Sequence, residues 1–126
     1  MKRIWFGAGL LIVLLLLGFG SSTFMERSHA AMAKDLSRAA ELALEGNWVG
    51  AENFTTAAQR EWDDNRTLIA ALSDHEIMDE TDGHFAQLEV FIRERDAISY
   101  SSTCLYLACQ LDALGKSHSF NLQNFF

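Results

Sequence analysis

Residues 3–26 read RIWFGAGLLIVLLLLGFGSSTFME, and the 22 positions from Ile4 to Met25 carry no charge. In helix, at about 1.5 Å per residue, such a run spans roughly 33 Å, enough to cross a hydrocarbon layer of about 30 Å. The rest of the chain differs in kind. All 17 acidic residues and eight of the ten basic ones follow Met25, so that part carries −9 against −7 for the whole 126-residue chain. Lys2 and Arg3 precede the run. By the positive-inside rule this polarity predicts a cytoplasmic N-terminus and an extracytoplasmic remainder in a single-pass protein of the cell membrane. Trp5 and Phe6 at one end, and Phe24 at the other, suit the two lipid–water interfaces. The expected division is residues 1–25, a cytoplasmic tip and transmembrane anchor, and residues 26–126, an extracytoplasmic helical domain.

A cleaved signal peptide has the same charged start and apolar middle. It is the less favoured reading. Ile4–Phe19 is long for that role, and the best small-x-small site, Ala31-Met32-Ala33, ends 14 residues past Phe19. No cysteine lies just after the run to serve as a lipoprotein anchor.

About 100 residues remain for the outer part, enough for one small domain with a single core. Proline is absent, which suits long uninterrupted helices. Two cysteines cannot supply a dense disulfide framework. The acidic balance argues against nucleic acid as a partner.

Beyond the anchor the periodicity predicts four helices. The first covers Ser28–Glu45, with Met32, Leu36, Ala39, Ala40 and Ala43 at three-four spacing. No Gly or Pro separates it from the anchor, so the two can form one rod. Gly46-Asn47 suits a left-handed helix stop. The second covers Trp48–Leu72, with a stripe of Trp48, Ala51, Phe54, Ala58, Trp62, Ile69 and Leu72 that Asn65 interrupts. Ser73-Asp74 can end it and cap the next. The third covers Glu76–Arg95, with Ile77, Thr81, Phe85, Leu88 and Ile92 on one face and acids in its first turns. The fourth covers Ala97–Leu114, with Ile98, Leu105, Ala108, Leu111 and Leu114 expected inward and Gly115 as its stop. Short connections make neighbours antiparallel. The fold expected is all-α: an N-terminal transmembrane helix followed by a small antiparallel bundle of about four helices.

Candidate chemistry is sparse. His75, Asp79 and Asp82 can share one helix face and could hold a divalent cation, but zinc sites need three or four protein ligands, and no HExxH or paired CxxC is present. The structural reading is stronger: a cap, a loop contact and acids placed at a helix start. Trp48 and Trp62 lie two heptads apart; a core stripe outweighs a flat-ligand or haem site, which would need axial ligands. Cys104 and Cys109 project about 140° apart on a helix and so form no redox pair. Both are expected to be small buried hydrophobes, with an interchain bond through Cys109 as the alternative. His118 is expected to anchor a loop, or to meet His75 at one end of the bundle as a polar, pH-sensitive latch. No nucleophile elbow, phosphate loop or basic stripe is present, so no cofactor and no enzymatic activity are expected.

Gly46-Asn47-Trp48, then Ala51, Phe54 and Trp62, the run DHEIMDETD at 74–82, Leu88, His118 and the closing NLQNFF with Asn124 stand in an order that resembles the bacterial single-pass proteins of domain-of-unknown-function family 4363. The features that match are Trp48, Ala51, Trp62, His75, Asp79, Leu88, His118 and Asn124, over nearly the whole chain. Tyr100–Cys109 departs from the charged helix that the resemblance implies there. The resemblance implies a membrane-anchored helical domain beside a multi-pass membrane protein, and brings no catalytic residue with it. The function expected is therefore a non-enzymatic interaction or accessory subunit of a membrane assembly, with an extracytoplasmic small-ligand or cation sensor as the alternative. Its expected partners are the lipid bilayer and either a multi-pass protein or a second copy. Trp48, Trp62, His118, Phe120, Asn124, Phe125 and Phe126 are the candidate contact residues; the tail Phe120, Leu122, Phe125, Phe126 and the apolar face at Tyr100, Leu105, Tyr106 and Leu107 serve equally well to close the bundle core or to dock on a partner.

Overall fold

The computed structural model describes the backbone of residues 1–125 and the side chains of 1–20, 23–71 and 73–116. It consists of α1 (Lys2–Leu44), α2 (Trp48–Asp64), α3 (Arg66–Leu72), α4 (His75–Glu94) and α5 (Ala97–Phe125). No strand occurs among the described residues.

The apolar segment and the first bundle helix are one object. α1 runs 43 residues without a break, about 64 Å at the standard rise. Its N-terminal part is apolar and uncovered, and is long and apolar enough to cross a membrane. From Met25 onward the same helix becomes amphipathic. Met25, Met32 and Ala39 form one buried row at seven-residue spacing, and His29, Leu36 and Ala43 form the adjacent one. Two such rows make a coiled-coil seam.

That seam faces α5. The Ser101, Cys104, Ala108, Leu111 and Gly115 series, all buried, alternates three- and four-residue steps along α5, flanked by buried Tyr100, Leu107 and Leu114. Gly115 meets His29, whereas Cys109 and Asp112 lie level with Ala33 and Ser37, so the two helices run antiparallel. α2 descends beside α1 and α4 returns, giving the expected up-down bundle. Trp62, Phe85 and Leu88 close its other side.

The connections follow from local chemistry. α1 ends in a Schellman motif: Asn47 N–H donates to Leu42 O (2.8 Å) and Gly46 N–H to Ala43 O (3.0 Å), with Gly46 at φ +83°. Asn47 then caps α2 by accepting from Gly50 N–H at 2.9 Å. The second expected helix is broken at Asn65, where the apolar stripe already fails, into α2 and α3. Asn65 Nδ2 donates to Glu61 O and to Ser28 Oγ, both at 3.0 Å, so the break is tied back to α1. Asp74 precedes α4 at the N-cap position, although its side chain makes no capping bond. Between α4 and α5 a second Schellman turn puts Arg95, not glycine, at φ 56°. Its guanidinium lies 5.4 Å from the centre of the Trp48 ring, an attraction that offsets part of the left-handed strain.

Three expectations for α5 need correction. Ile98 and Leu105 are 75% and 48% exposed rather than inward. They share a heptad row with Asp112, and a row that ends in a carboxylate faces water. Gly115 does not stop the helix, which continues to Phe125. It is instead a point of close approach: a Cβ there would lie 2.9 Å from His29 Cβ. Finally, Cys104 is buried but Cys109 is exposed.

Candidate functional site

The residues singled out for cation binding fall at the start of α4, and they separate. His75 and Asp79 are exposed. Asp82 is already engaged: it accepts from Trp62 Nε1 at 2.9 Å and from Arg66 through both guanidinium nitrogens, Nη1 at 2.9 Å. A bidentate guanidinium fits a carboxylate plane and is among the stronger surface pairs. The hydrogen bond from Arg66, helped by Trp62, holds the Asp82 carboxyl below the usual carboxylate range and raises the Arg66 guanidinium in turn. Among the described residues no three His, Cys, Asp or Glu side chains come together at ligand spacing.

This clamp was not anticipated from the sequence. Trp62 and Arg66 are four apart, but α2 ends between them, and Asp82 comes from α4 on the far side of a turn. Trp62 itself is fully buried, with its ring 6.5 Å from that of Phe85. It pins α2 to α4 and offers no surface to a partner. A second polar junction lies nearby: Ser28 Oγ donates to Glu61 Oε1 at 2.7 Å, and Asn65 Nδ2 bonds to both. Together the two junctions fasten α1, α2, α3 and α4 at one end of the bundle, the end from which the apolar part of α1 emerges.

The opposite end is built on Trp48 and Tyr100. Trp48 is partly buried, edge-on to Tyr100 at 5.6 Å. Fully buried Tyr100 donates its hydroxyl to Ala51 O (3.1 Å) and lies 3.0 Å from Thr55 Oγ1. Burial pushes the Tyr100 hydroxyl and the Cys104 thiol up, the latter to about 12. Leu44, Val49 and Ile98, at this same end, are 61–75% exposed. Between α2 and α4 runs an open groove of about 360 Å³, floored by Phe85 and Leu88 and rimmed by Glu52, Glu89, Arg93 and Arg95. Of the apolar stretch proposed on α5, Tyr100 and Leu107 belong to the core while Leu105 and Tyr106 face outward.

The side chains of His118, Phe120, Asn124 and Phe125, and Phe126 altogether, lie outside the described residues. The meeting of His118 with His75 is therefore not addressed by this geometry. His29 is fully buried under Gly115, its Nδ1 2.7 Å from the Met25 carbonyl. A lone histidine in an otherwise apolar row gives no sequence signal of that position.

Comparisons with curated proteins and with solved structures found no match. The family model described as domain of unknown function DUF4363 matches residues 19–125. That stretch begins inside the apolar run, crosses both polar junctions and takes in all of α5, so the end of the apolar run and the bundle are matched as one unit: the chain belongs to the DUF4363 family.

Proposed function

We propose that this protein is a single-pass, membrane-anchored accessory subunit with no enzymatic role. In this reading its acidic bundle stands outside the cytoplasm and docks onto a membrane partner, either a multi-pass protein or a second copy. The observation that carries the reading is α1. Its first half leaves Leu10 to Leu14 more than half exposed, a burden of apolar surface that a chain in water does not carry without a purpose. Its second half supplies the central seam of the bundle. Lys2 and Arg3 before the apolar run, and the acidic excess after it, support the orientation. The cation-sensor alternative gains no support, because Asp82 is committed to Trp62 and Arg66.

Two measurements test the proposal. After alkaline carbonate washing the chain is expected in the membrane pellet, starting at or near Met1, with residues 26–126 open to protease from the outer side only. Release into the supernatant, or a mature start near residue 21 (after the small-x-small Gly18-Phe19-Gly20) or near residue 34 (after Ala31-Met32-Ala33), defeats the anchor. Affinity capture in mild detergent, with and without residues 120–126, tests docking together with the mass of the purified particle. A monomer with no specific partner in both forms defeats that half.

A further inference from the structure

Between Glu26 and Asp96 no run without Asp, Glu, Lys or Arg exceeds seven residues, yet residues 97–111 of α5 hold none in fifteen. One face of this stretch builds the seam with α1. The other is open: Ile98 and Leu105 are 75% and 48% exposed, and Ser102 and Cys109 are exposed beside them. Tyr106 is turned toward α4, where it meets His84 edge-on at 5.0 Å. Ile98, Ser102, Leu105 and Cys109 follow four- and three-residue steps, the spacing of a helix-packing stripe. The helix therefore carries two such stripes, and only one of them is covered.

The open stripe has a neighbour on α1. There Ala30, Ala33 and Ser37 stand at three- and four-residue steps, all with small side chains. Between the two helices lies a hollow of about 240 Å³, bounded by Ala33, Lys34 and Ser37 of α1 and by Leu105, Cys109 and Asp112 of α5. One wall is low and the other carries a projecting Leu105, so the same face supplies both a hole and a knob. It also supplies two charges of opposite sign, one from each helix. Lys34 is exposed and forms no salt bridge among the described residues. Asp112 pairs through Oδ2 with Lys116 of its own helix at 3.1 Å, which leaves Oδ1 for a second donor.

We propose that the protein pairs with a second copy of itself through this α1–α5 face, each α5 lying in the hollow of the other chain. The proposal rests on the anchor reading and selects the second copy as the docking partner. Two chains anchored in one membrane stand parallel, so the two-fold axis that relates them runs along the helices and every residue keeps its height. Lys34 and Asp112 border one hollow and so stand at one height. The two-fold then faces Lys34 with the partner's Asp112, and does so twice, while Leu105 of each chain is set against the small wall of the other. Such reciprocity is what an isologous contact requires of a single surface.

The test uses the full chain in phosphatidylcholine vesicles, with Cys109→Ser as background; Cys104 is buried. Lys34→Cys and Asp112→Cys are made in separate chains with different tags, mixed and oxidised, so that a disulfide product with both tags joins two copies. It should far exceed the product of Lys34→Cys mixed with Glu89→Cys, whose cysteine lies on exposed α4. In chains that keep Cys109, its labelling by maleimide should slow as chain density in the vesicles rises, and be fast in dilute micelles. Charge exchange gives a readout without disulfides: Lys34→Glu or Asp112→Lys alone should lower energy transfer between tagged copies, and both changes in one chain should restore it. If 34 couples to 112 no better than to 89, or if the double exchange restores nothing, the proposal is overturned. A chain that resists carbonate washing but is monomeric overturns it and leaves the anchor standing. A chain that carbonate releases defeats the anchor, and the parallel pairing with it.

Discussion

Gly115 and Gly83 are both helical glycines, and replacing each by alanine should move stability in opposite directions. In an exposed helix interior, alanine is favoured over glycine by about 1 kcal/mol. Gly83 is such a site: it is exposed in the middle of α4, with nothing within 4 Å of a Cβ built on it. Gly115→Ala has the same gain available, but its new methyl would meet His29 Cβ at 2.9 Å and Cγ at 3.4 Å. A Cβ is fixed to its backbone, so no rotamer change relieves that contact; α1 and α5 must part by some tenths of an ångström along the seam. Overpacking of this kind costs roughly 1–3 kcal/mol. The net for Gly115→Ala is then a loss of up to about 2 kcal/mol, against a gain of about 1 for Gly83→Ala. For a domain of this size each kcal/mol moves Tm by about 4–8 °C, so the two variants should bracket the parent in thermal unfolding followed by circular dichroism in mild detergent. If Gly115→Ala is raised as much as Gly83→Ala, α5 does not approach α1 at this point, and both the close-packed seam and the register drawn from it are wrong.

Three further outcomes follow from the same contacts. Tyr100→Phe removes a buried hydroxyl bonded to Ala51 O and Thr55 Oγ1 and should cost about 1 kcal/mol in urea unfolding; no change would mean the hydroxyl is solvated. Asp82 has its folded-state carboxyl held below the ordinary value by Arg66 and Trp62, so its stabilisation is present above about pH 4 and is lost as pH falls through the depressed value. Asp82→Asn should therefore be less stable than the parent at neutral pH and lose less on acidification, and parallel pH profiles would refute the pairing. A maleimide should modify exposed Cys109 in the folded chain and reach Cys104 only on unfolding, since burial both hides that thiol and raises it to about 12; equal labelling would show α5 rotated from the position described.

The parts of the fold that could be read from the sequence are those where one helix decides for itself. The rows through Met32, Leu36, Ala39 and Ala43, and through Ala51, Ala58 and Trp62, are apolar at one period and polar elsewhere, so no partner is needed to orient them. Gly46-Asn47 and Asn65 act through their own backbone and side-chain bonds. The inward face of α5 was harder because Cys104–Ala108 is apolar all round, and only the partner α1 selects which of its residues to cover. Gly115 reads equally as a stop or as a close approach until α1 is placed against it. The Asp82 clamp joins residues from three helices, α2, α3 and α4, across a break that periodicity does not locate to the residue. A carboxylate in an acidic run, with no sign of where Arg66 stands, looks like a free ligand.

Continuity of α1 also constrains how the bundle stands on the apolar segment. Each residue turns the helix by about 100°, and with no break between Lys2 and Leu44 the phase of the span is transmitted to the seam. Leu15 and Gly18, partly covered, therefore lie on the same side of α1 as Met25, His29 and Met32. The uncovered sides of the span, at Leu14, Leu16 and Leu17, are correspondingly fixed relative to α2 and α4. A partner packed against the span in the bilayer would meet one defined azimuth of the bundle above it. The polar junctions at Ser28–Glu61–Asn65 and Trp62–Asp82–Arg66 hold α2 and α4 in that azimuth. Under the proposed anchor, docking on the span and docking on the bundle are then linked through one continuous helix.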